Sequence, residues 1–276
     1  MGVNKNMTRA KIISITSGKG GVGKTNIVIN VAYSLIREQK RVLIIDADMG
    51  LADISMLLGL THKSTILNVF AGEKELSDII IKGPGGLEII PTESAREELT
   101  LLDSNHISLL KEKLRSLIYD YDVIIIDTPS GIGKNVMRFN QMAQEIIVVL
   151  SPDPTSMADA YALIKILSKN YHIDQFHMLC NLINSKQEAE EIFNRLHKVV
   201  KRFLNIELVD AGYIYSDNLL MRSSRSQEMV TIAHPTAKSS RCFEKLAKYI
   251  NSIPCDFNTE SFMSNFFHLE HRRVNP

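Results

Sequence analysis

Seven short stretches of this sequence are apolar almost from end to end, and that pattern restricts the fold more than any other feature of the chain. They are residues 11–16 (KIISIT), 41–46 (RVLIID), 87–91 (LEIIP), 122–127 (DVIIID), 145–150 (EIIVVL), 176–181 (FHMLCN) and 208–214 (LVDAGYI). A strand with one face in water alternates apolar and polar residues. A run of Ile and Val without alternation belongs to a strand buried on both faces, as in a parallel sheet. Stretches of helical period lie between the runs, at residues 23–38, 107–119, 155–170, 188–204 and 238–251. Strand and helix in alternation predict an α/β fold, a mainly parallel twisted sheet with helices on both faces and ligand sites at the carboxyl ends of its strands. One such domain uses nearly all of the 276 residues. Residues 1–255 are expected to form it, and residues 256–276 an appended tail.

Between the first strand and the first helix stands Gly18-Lys19-Gly20-Gly21-Val22-Gly23-Lys24-Thr25, the G-x-x-x-x-G-K-[ST] spacing of a phosphate-binding loop. Glycines let the backbone curl so that its N–H groups converge on phosphate oxygens. The helix that begins here adds the positive end of its dipole. Lys24 is expected at the β- and γ-phosphates and the Thr25 hydroxyl on Mg²⁺, with Asn26 part of the same binding run. A glycine-rich turn with a chance lysine would lack the flanking strand and helix. The reading is a P-loop NTPase fold with ATP, ADP and Mg²⁺ as cofactors.

Carboxylates extend the pattern. Asp46 closes the second apolar run with Asp48 two residues on, so both acids fall at its carboxyl end, and Asp127 closes the fourth. A lone acid at a strand end is as readily a helix cap or a turn. Three of them behind one phosphate loop read as a metal and water site. Asp127 ends the strand of a Walker B element, which holds Mg²⁺ through water. Residues 128–133 (TPSGIG) are expected to form the loop that senses the γ-phosphate.

Composition serves mainly to exclude. With 32 basic and 31 acidic residues the net charge is +1, so no global field draws the chain to nucleic acid or an anionic membrane. Cys180, Cys242 and Cys255 are three, widely spaced and without a CxxC pair. That argues against a disulfide framework, a zinc site or an iron–sulfur reductase, and for a reducing compartment. No apolar run approaches a spanning helix, and residues 1–11 lack the apolar stretch of a signal peptide. A cytoplasmic protein is expected.

The second lysine of the loop, Lys19, is not required by the phosphate-loop pattern. The stretch Lys-Gly-Gly-Val-Gly-Lys-Thr resembles the deviant phosphate loop of the MinD/ParA class of ATPases. That resemblance extends over residues 12 to about 252. It implies that Lys19 crosses a dimer interface to stabilise charge on the partner's transferring phosphoryl group, that Asp48 positions the attacking water, and that Asp46 supports the Mg²⁺ site. It also implies that Asn181 recognises the adenine edge, a residue that read alone serves equally well as a turn or cap, and that Asp217 keeps an acidic position near the base.

Residues 46–54 (DADMGLADI), 151–165 (SPDPTSMADAYALIK), 185–195 and 200–204 resemble one branch, the FlhG/FleN (YlxH-like) regulators of flagellar number. The resemblance implies an ATP-dependent homodimer that regulates flagellar number or placement. Its implied partners are an FlhF-type GTPase, a FleQ-type transcription activator or flagellar switch-ring proteins. The sequence departs from the family in three places. Residues 213–217 (YIYSD) lack the usual proline near the base, residues 92–99 (TESAREEL) replace a small-residue loop, and residues 1–11 hold no DQAxxLR segment of the kind that stimulates FlhF. Two rivals share the motifs through Asp127: a MinD-like division-site ATPase engaging MinC and MinE, and a ParA-like partition ATPase coating DNA. A third reading is an antiactivator whose ATPase rate is incidental.

In residues 261–273 (SFMSNFFHLEHRR), Phe262, Met263, Phe266, Phe267 and Leu269 fall largely on one helical face. Such a helix lies in a membrane interface or packs on its own domain. A single tail should bind weakly, whereas two in an ATP dimer gain from effective concentration. The expected location is cytoplasmic, reversibly peripheral on the inner membrane face. His268 and His271 have no further ligands nearby and read as solvated.

Overall fold

A computed structural model describes residues 9–48, 54–92 and 103–254. The tail residues Phe262, Met263, Phe266, Phe267 and Leu269, the segment 93–99 and residues 49–53 of the second switch sequence lie outside the described residues.

The strands are β1 (Lys11–Ser17), β2 (Val42–Asp46), β3 (Ile81–Lys82), β4 (Glu88–Ile90), β5 (Val123–Ser130), β6 (Glu145–Leu150), β7 (Gln175–Ile183) and β8 (Glu207–Tyr215). They form one sheet in the order β3-β4-β2-β5-β1-β6-β7-β8. All pairs are parallel except β3 with β4. The seven apolar runs are all strands. The eighth strand, β3, is two residues long, too short to show a period. Every residue of β1 and β2 is buried, as the absence of alternation requires.

The helices are α1 (Lys24–Arg37), α2 (Ile54–Leu57), α3 (Ile66–Phe70), α4 (Ser104–Leu117), α5 (Lys134–Asn140), α6 (Pro154–Tyr171), α7 (Lys186–Leu204), α8 (Asn218–Arg225), α9 (Val230–Ala233) and α10 (Lys238–Ser252). Their apolar faces bury against both sides of the sheet. One side is covered by α1 and α10, through residues such as Ile27, Val31, Phe243 and Ile250 packed on Ile13, Ile44 and Leu179. On the other side α4 covers β2 and β5, while α6 and α7 cover β6 and β7.

Caps fix where the long helices begin. Asp153 accepts the N–H of Ser156 at 2.8 Å, and Pro154 follows at the first helical position of α6. Ser185 does the same for α7 through Glu188 N–H. A buried amide ties α5 to β1: Ser14 donates to Asn140 Oδ1 at 2.8 Å, and Asn140 Nδ2 donates to Thr16 Oγ1 at 3.1 Å.

Polar groups are also buried at the amino edge of the sheet. The Lys11 ammonium donates to the carbonyls of Ile250 and Ile253, closing the last turn of α10. His177 lies between Glu145 Oε2 at 2.7 Å and the Tyr249 hydroxyl at 2.6 Å.

Candidate functional site

The strands β2, β5, β1 and β7 bring most of the sequence-predicted residues to one carboxyl edge of the sheet, and Asp217 follows β8. The loop Gly18–Thr25 leaves β1 and runs into α1. At its end Gly23 adopts φ +90° and serves as the N-cap of α1, a left-handed backbone that glycine adopts without a steric penalty. Val22 is buried in the core beneath the loop, and Lys24 is buried at the first position of the helix. The predicted order of strand, loop and helix holds.

Asp127 sits beside this loop because β5 is the neighbour of β1; it pairs with Ile15 on one side and with Asp46 on the other. Its carboxylate is wholly buried, and neither oxygen has a well-formed hydrogen bond. Burial raises its pKa to about 7, against the Lys24 charge and the Thr25 hydroxyl, which favour ionisation; the nearby Asp48 charge raises it further. Lys24, Thr25 and Asp48 therefore all act on the Asp127 carboxylate. A buried carboxylate without a well-formed hydrogen bond, flanked by a threonine hydroxyl, is a hard oxygen donor set that fits a magnesium ion.

Asp46 is also buried, but its oxygens face backbone. Oδ1 accepts Asp48 N–H at 3.3 Å and Oδ2 accepts Ile54 N–H at 2.9 Å. It braces the start of the second switch segment and the first residue of α2. The loop after β5 is stapled to the end of β1, where the phosphate loop begins: Gly131 N–H donates to the Ser17 carbonyl at 2.9 Å. The Thr128 hydroxyl lies 3.2 Å from the Ile15 carbonyl.

Lys19 takes a different direction from Lys24. Its ammonium lies 2.9 Å from Asp153 Oδ1 and 2.8 Å from Thr155 Oγ1, and its side chain is 41% exposed. Hydroxyls of Ser151 and Thr155, then Lys19 and Ser156 N–H, hold the Asp153 carboxyl far below the usual range. In the sequence Asp153 and Thr155 stand only within the 151–165 stretch that resembles the flagellar branch; the 134-residue separation of Asp153 from Lys19 hides the contact.

Asn181 reaches the loop from β7. Its Nδ2 donates to the Val22 carbonyl at 2.7 Å, and its Oδ1 is buried with no partner. A Cβ on Gly23 would lie 2.5 Å from Asn181 Nδ2, so the two residues are in close packing. Asn26 faces α8, with Nδ2 3.4 Å from Ser224 Oγ. Asp217 is the N-cap of α8: it accepts Leu219 N–H at 2.9 Å and both the N–H and hydroxyl of Ser239. Burial opposes its ionisation, but the bonds from Ser239 and Leu219 outweigh that and hold its carboxyl low. Both of its oxygens are thus engaged in tying α8 to α10. Among the described residues no helix is long and apolar enough to cross a membrane.

Comparison with known proteins agrees with this geometry. Residues 10–176 match the family model of an AAA domain. The chain is 37% identical to the antiactivator FleN of Pseudomonas aeruginosa over 260 residues, 94% of this chain and 93% of that protein. It is 34% identical to the flagellum site-determining protein YlxH of Helicobacter pylori, over 88% of this chain and 82% of that one. The septum site-determining protein MinD of Pyrococcus horikoshii, solved in complex with Mg-ADP, superposes with a TM-score of 0.70 at 25% identity, covering 88% of this chain and 96% of that chain.

Proposed function

Because the chain belongs to the MinD/ParA class of P-loop ATPases, in the group of FleN and YlxH, and is an ATP-hydrolysing enzyme, we propose that it is a nucleotide-dependent dimerisation switch that sets flagellar number or placement. The observation that carries the switch is the pair of lysines. Lys24 is buried beside Asp127, whereas Lys19 leans outward onto Asp153 and Thr155 at the rim. A half-exposed lysine at the rim of one site, once released from Asp153 and Thr155, reaches outward to complete the site of a second copy.

In this reading the loop N–H groups and Lys24 bind the ATP phosphates, and Asp48 orients the attacking water in line with the γ-phosphorus. The water oxygen forms a bond to phosphorus as the bond to the bridging oxygen breaks, leaving ADP and phosphate. Negative charge gathers on the leaving and equatorial oxygens. Lys24, and Lys19 delivered from a second copy, stabilise it. Thr25 directly and Asp127 through water would hold magnesium, which neutralises phosphate charge when bound. Asp46 acts at one remove by fixing the backbone of Asp48. Asn181 Oδ1 is an unspent acceptor that suits the exocyclic amino group of adenine. Asp217, with both oxygens engaged, would serve the base only indirectly, as a structural support for α8.

The ATP dimer would bind flagellar partners, an FlhF-type GTPase, a FleQ-type activator or switch-ring proteins, and hydrolysis would release them. The apolar face of Phe262, Met263, Phe266, Phe267 and Leu269 would join two weak membrane anchors in one dimer. Flagellar counts on cells carrying only the Lys19→Ala protein test the biological reading. They should match those of cells lacking the protein, with expression unchanged. Normal flagella together with misplaced division septa would replace this reading with division-site placement.

A further inference from the structure

The end of β7 contains an irregularity that bears on Asn181. From Gln175 to Met178 the pairing with β8 is regular, and Met178 pairs with Asp210. Leu179 then pairs with Gly212, so β8 carries one extra residue. Further on, Cys180 pairs with Tyr213 but Ile183 with Tyr215, so β7 carries the next one. The second shift cancels the first. Each sits at a left-handed residue: Gly212 with φ +97°, and Leu182 with φ +61°. Glycine fills such a bulge position at little steric penalty. Leucine does so rarely, and Leu182 is 37% exposed, so it is not held there by burial in the core.

What the bulge achieves is a change of side. Along a regular strand residues two apart share a face. Here Met178, Cys180 and Ile183 all pack in the core beneath α6 and α7. Leu179 packs against the α1 side, and Asn181 meets the phosphate loop on that side. Asn181 and Ile183, two apart, therefore face opposite ways. Without the extra residue one of them would leave its partners.

We propose that Leu182 is a positioning residue for nucleotide binding. Its left-handed backbone holds the Asn181 amide against Val22 and Gly23, which fixes the last turn of the phosphate loop and presents the unpaired Oδ1 to the ligand. This rests on the reading of Asn181 as part of the nucleotide site. The backbone at Leu182, not its side chain, is the acting feature.

The test is ATP and ADP affinity by titration calorimetry, at a temperature where every variant is folded, together with thermal unfolding. Asn181→Ala should weaken ATP binding roughly tenfold, the scale of one lost hydrogen bond to a ligand in a buried site. Leu182→Ile, whose branched Cβ opposes a left-handed backbone, should weaken it by a similar factor. The double variant should be no worse than either single one. Leu182→Gly and Leu182→Asn, which both accept φ near +60°, should bind as the unaltered chain does and unfold at the same or a higher temperature. If Leu182→Ile does not fold, Leu182→Thr carries the same backbone opposition with a polar side chain at this exposed position. Full affinity in the branched variants beside a weakened Asn181→Ala overturns the role of Leu182. So does a Leu182→Gly as weak as Leu182→Ile, since the side chain would then be what acts. An unchanged Asn181→Ala instead removes the site reading on which the proposal stands.

Discussion

The two edges of the sheet treat buried polar groups in opposite ways. At the amino edge the Lys11 ammonium is satisfied by two carbonyls at the end of α10, and His177 is held at both ring nitrogens by Glu145 and Tyr249. At the carboxyl edge Asp46 is spent on the backbone of Asp48 and Ile54, but Asp127 is fully buried without a well-formed bond to either oxygen, and Asn181 keeps one oxygen unpaired. A paired group ties elements together and contributes to the fold. An unpaired one destabilises the free protein and is repaid when a ligand supplies the missing partner. Within one sheet, then, the amino edge is built for stability and the carboxyl edge for binding, and substitutions at the two should separate those properties.

The largest expected effect is at the binding edge. Lys24→Ala should lower ATP turnover by about a thousandfold or more, since it removes the lysine at the phosphates, while the melting temperature of the nucleotide-free protein changes little. A phosphate-release assay beside a melting curve checks both halves. Comparable loss of stability would mean that Lys24 is structural like Lys11.

Next is the amino edge. Lys11→Met leaves the carbonyls of Ile250 and Ile253 without their donor, at a cost of about 2–3 kcal/mol. That corresponds to a fall of roughly 5–10 °C in melting temperature for a chain of this size. Because Lys11 lies at the far end of β1 from the loop, ATP affinity measured well below the transition should not move. A large change in affinity would erase the distinction between the edges.

A smaller effect follows from Asp127. Its carboxyl keeps the proton until about pH 7 in the fold and loses it near pH 4 when unfolded. Between those values the folded state binds the extra proton, so stability falls as pH rises through this window and levels off above pH 7. Asp127→Asn, which mimics the protonated acid, should lack this contribution. Relative to the unaltered chain its nucleotide-free form should gain on the order of 1–2 kcal/mol between pH 5 and 8, allowing for relaxation around a buried charge. Melting curves of the two proteins that stay parallel across that range would contradict the raised pKa.

Much of this division was legible in the sequence. Unbroken Ile and Val at residues 123–126 and 146–149 identified central strands because burial on both faces removes alternation. The spacing of Gly18, Gly23, Lys24 and Thr25 located the loop because phosphate geometry dictates it. What stayed hidden depends on contacts distant in sequence or on backbone conformation. The seven residues of α5 make just under two turns, too few for a helical period to stand out in the sequence. The capping role of Asp217 could have been suspected from Asp before Asn218-Leu219-Leu220, but the bond to Ser239 spans 22 residues. The engagement of Asp46 with the backbone of Asp48 and Ile54 arises only once β2 and α2 are in place. The bulge at Leu182 carried no signal at all, because neither glycine nor asparagine marks it.

The central claim is that ATP joins two copies through this carboxyl edge. Light scattering on the Asp48→Ala protein, which should retain ATP without hydrolysing it, measures this directly. The mass should be that of a monomer with ADP and should double with ATP and magnesium, and adding Lys19→Ala to the same chain should abolish the doubling. A mass that does not respond to nucleotide would contradict the switch and leave a P-loop enzyme that completes its site alone.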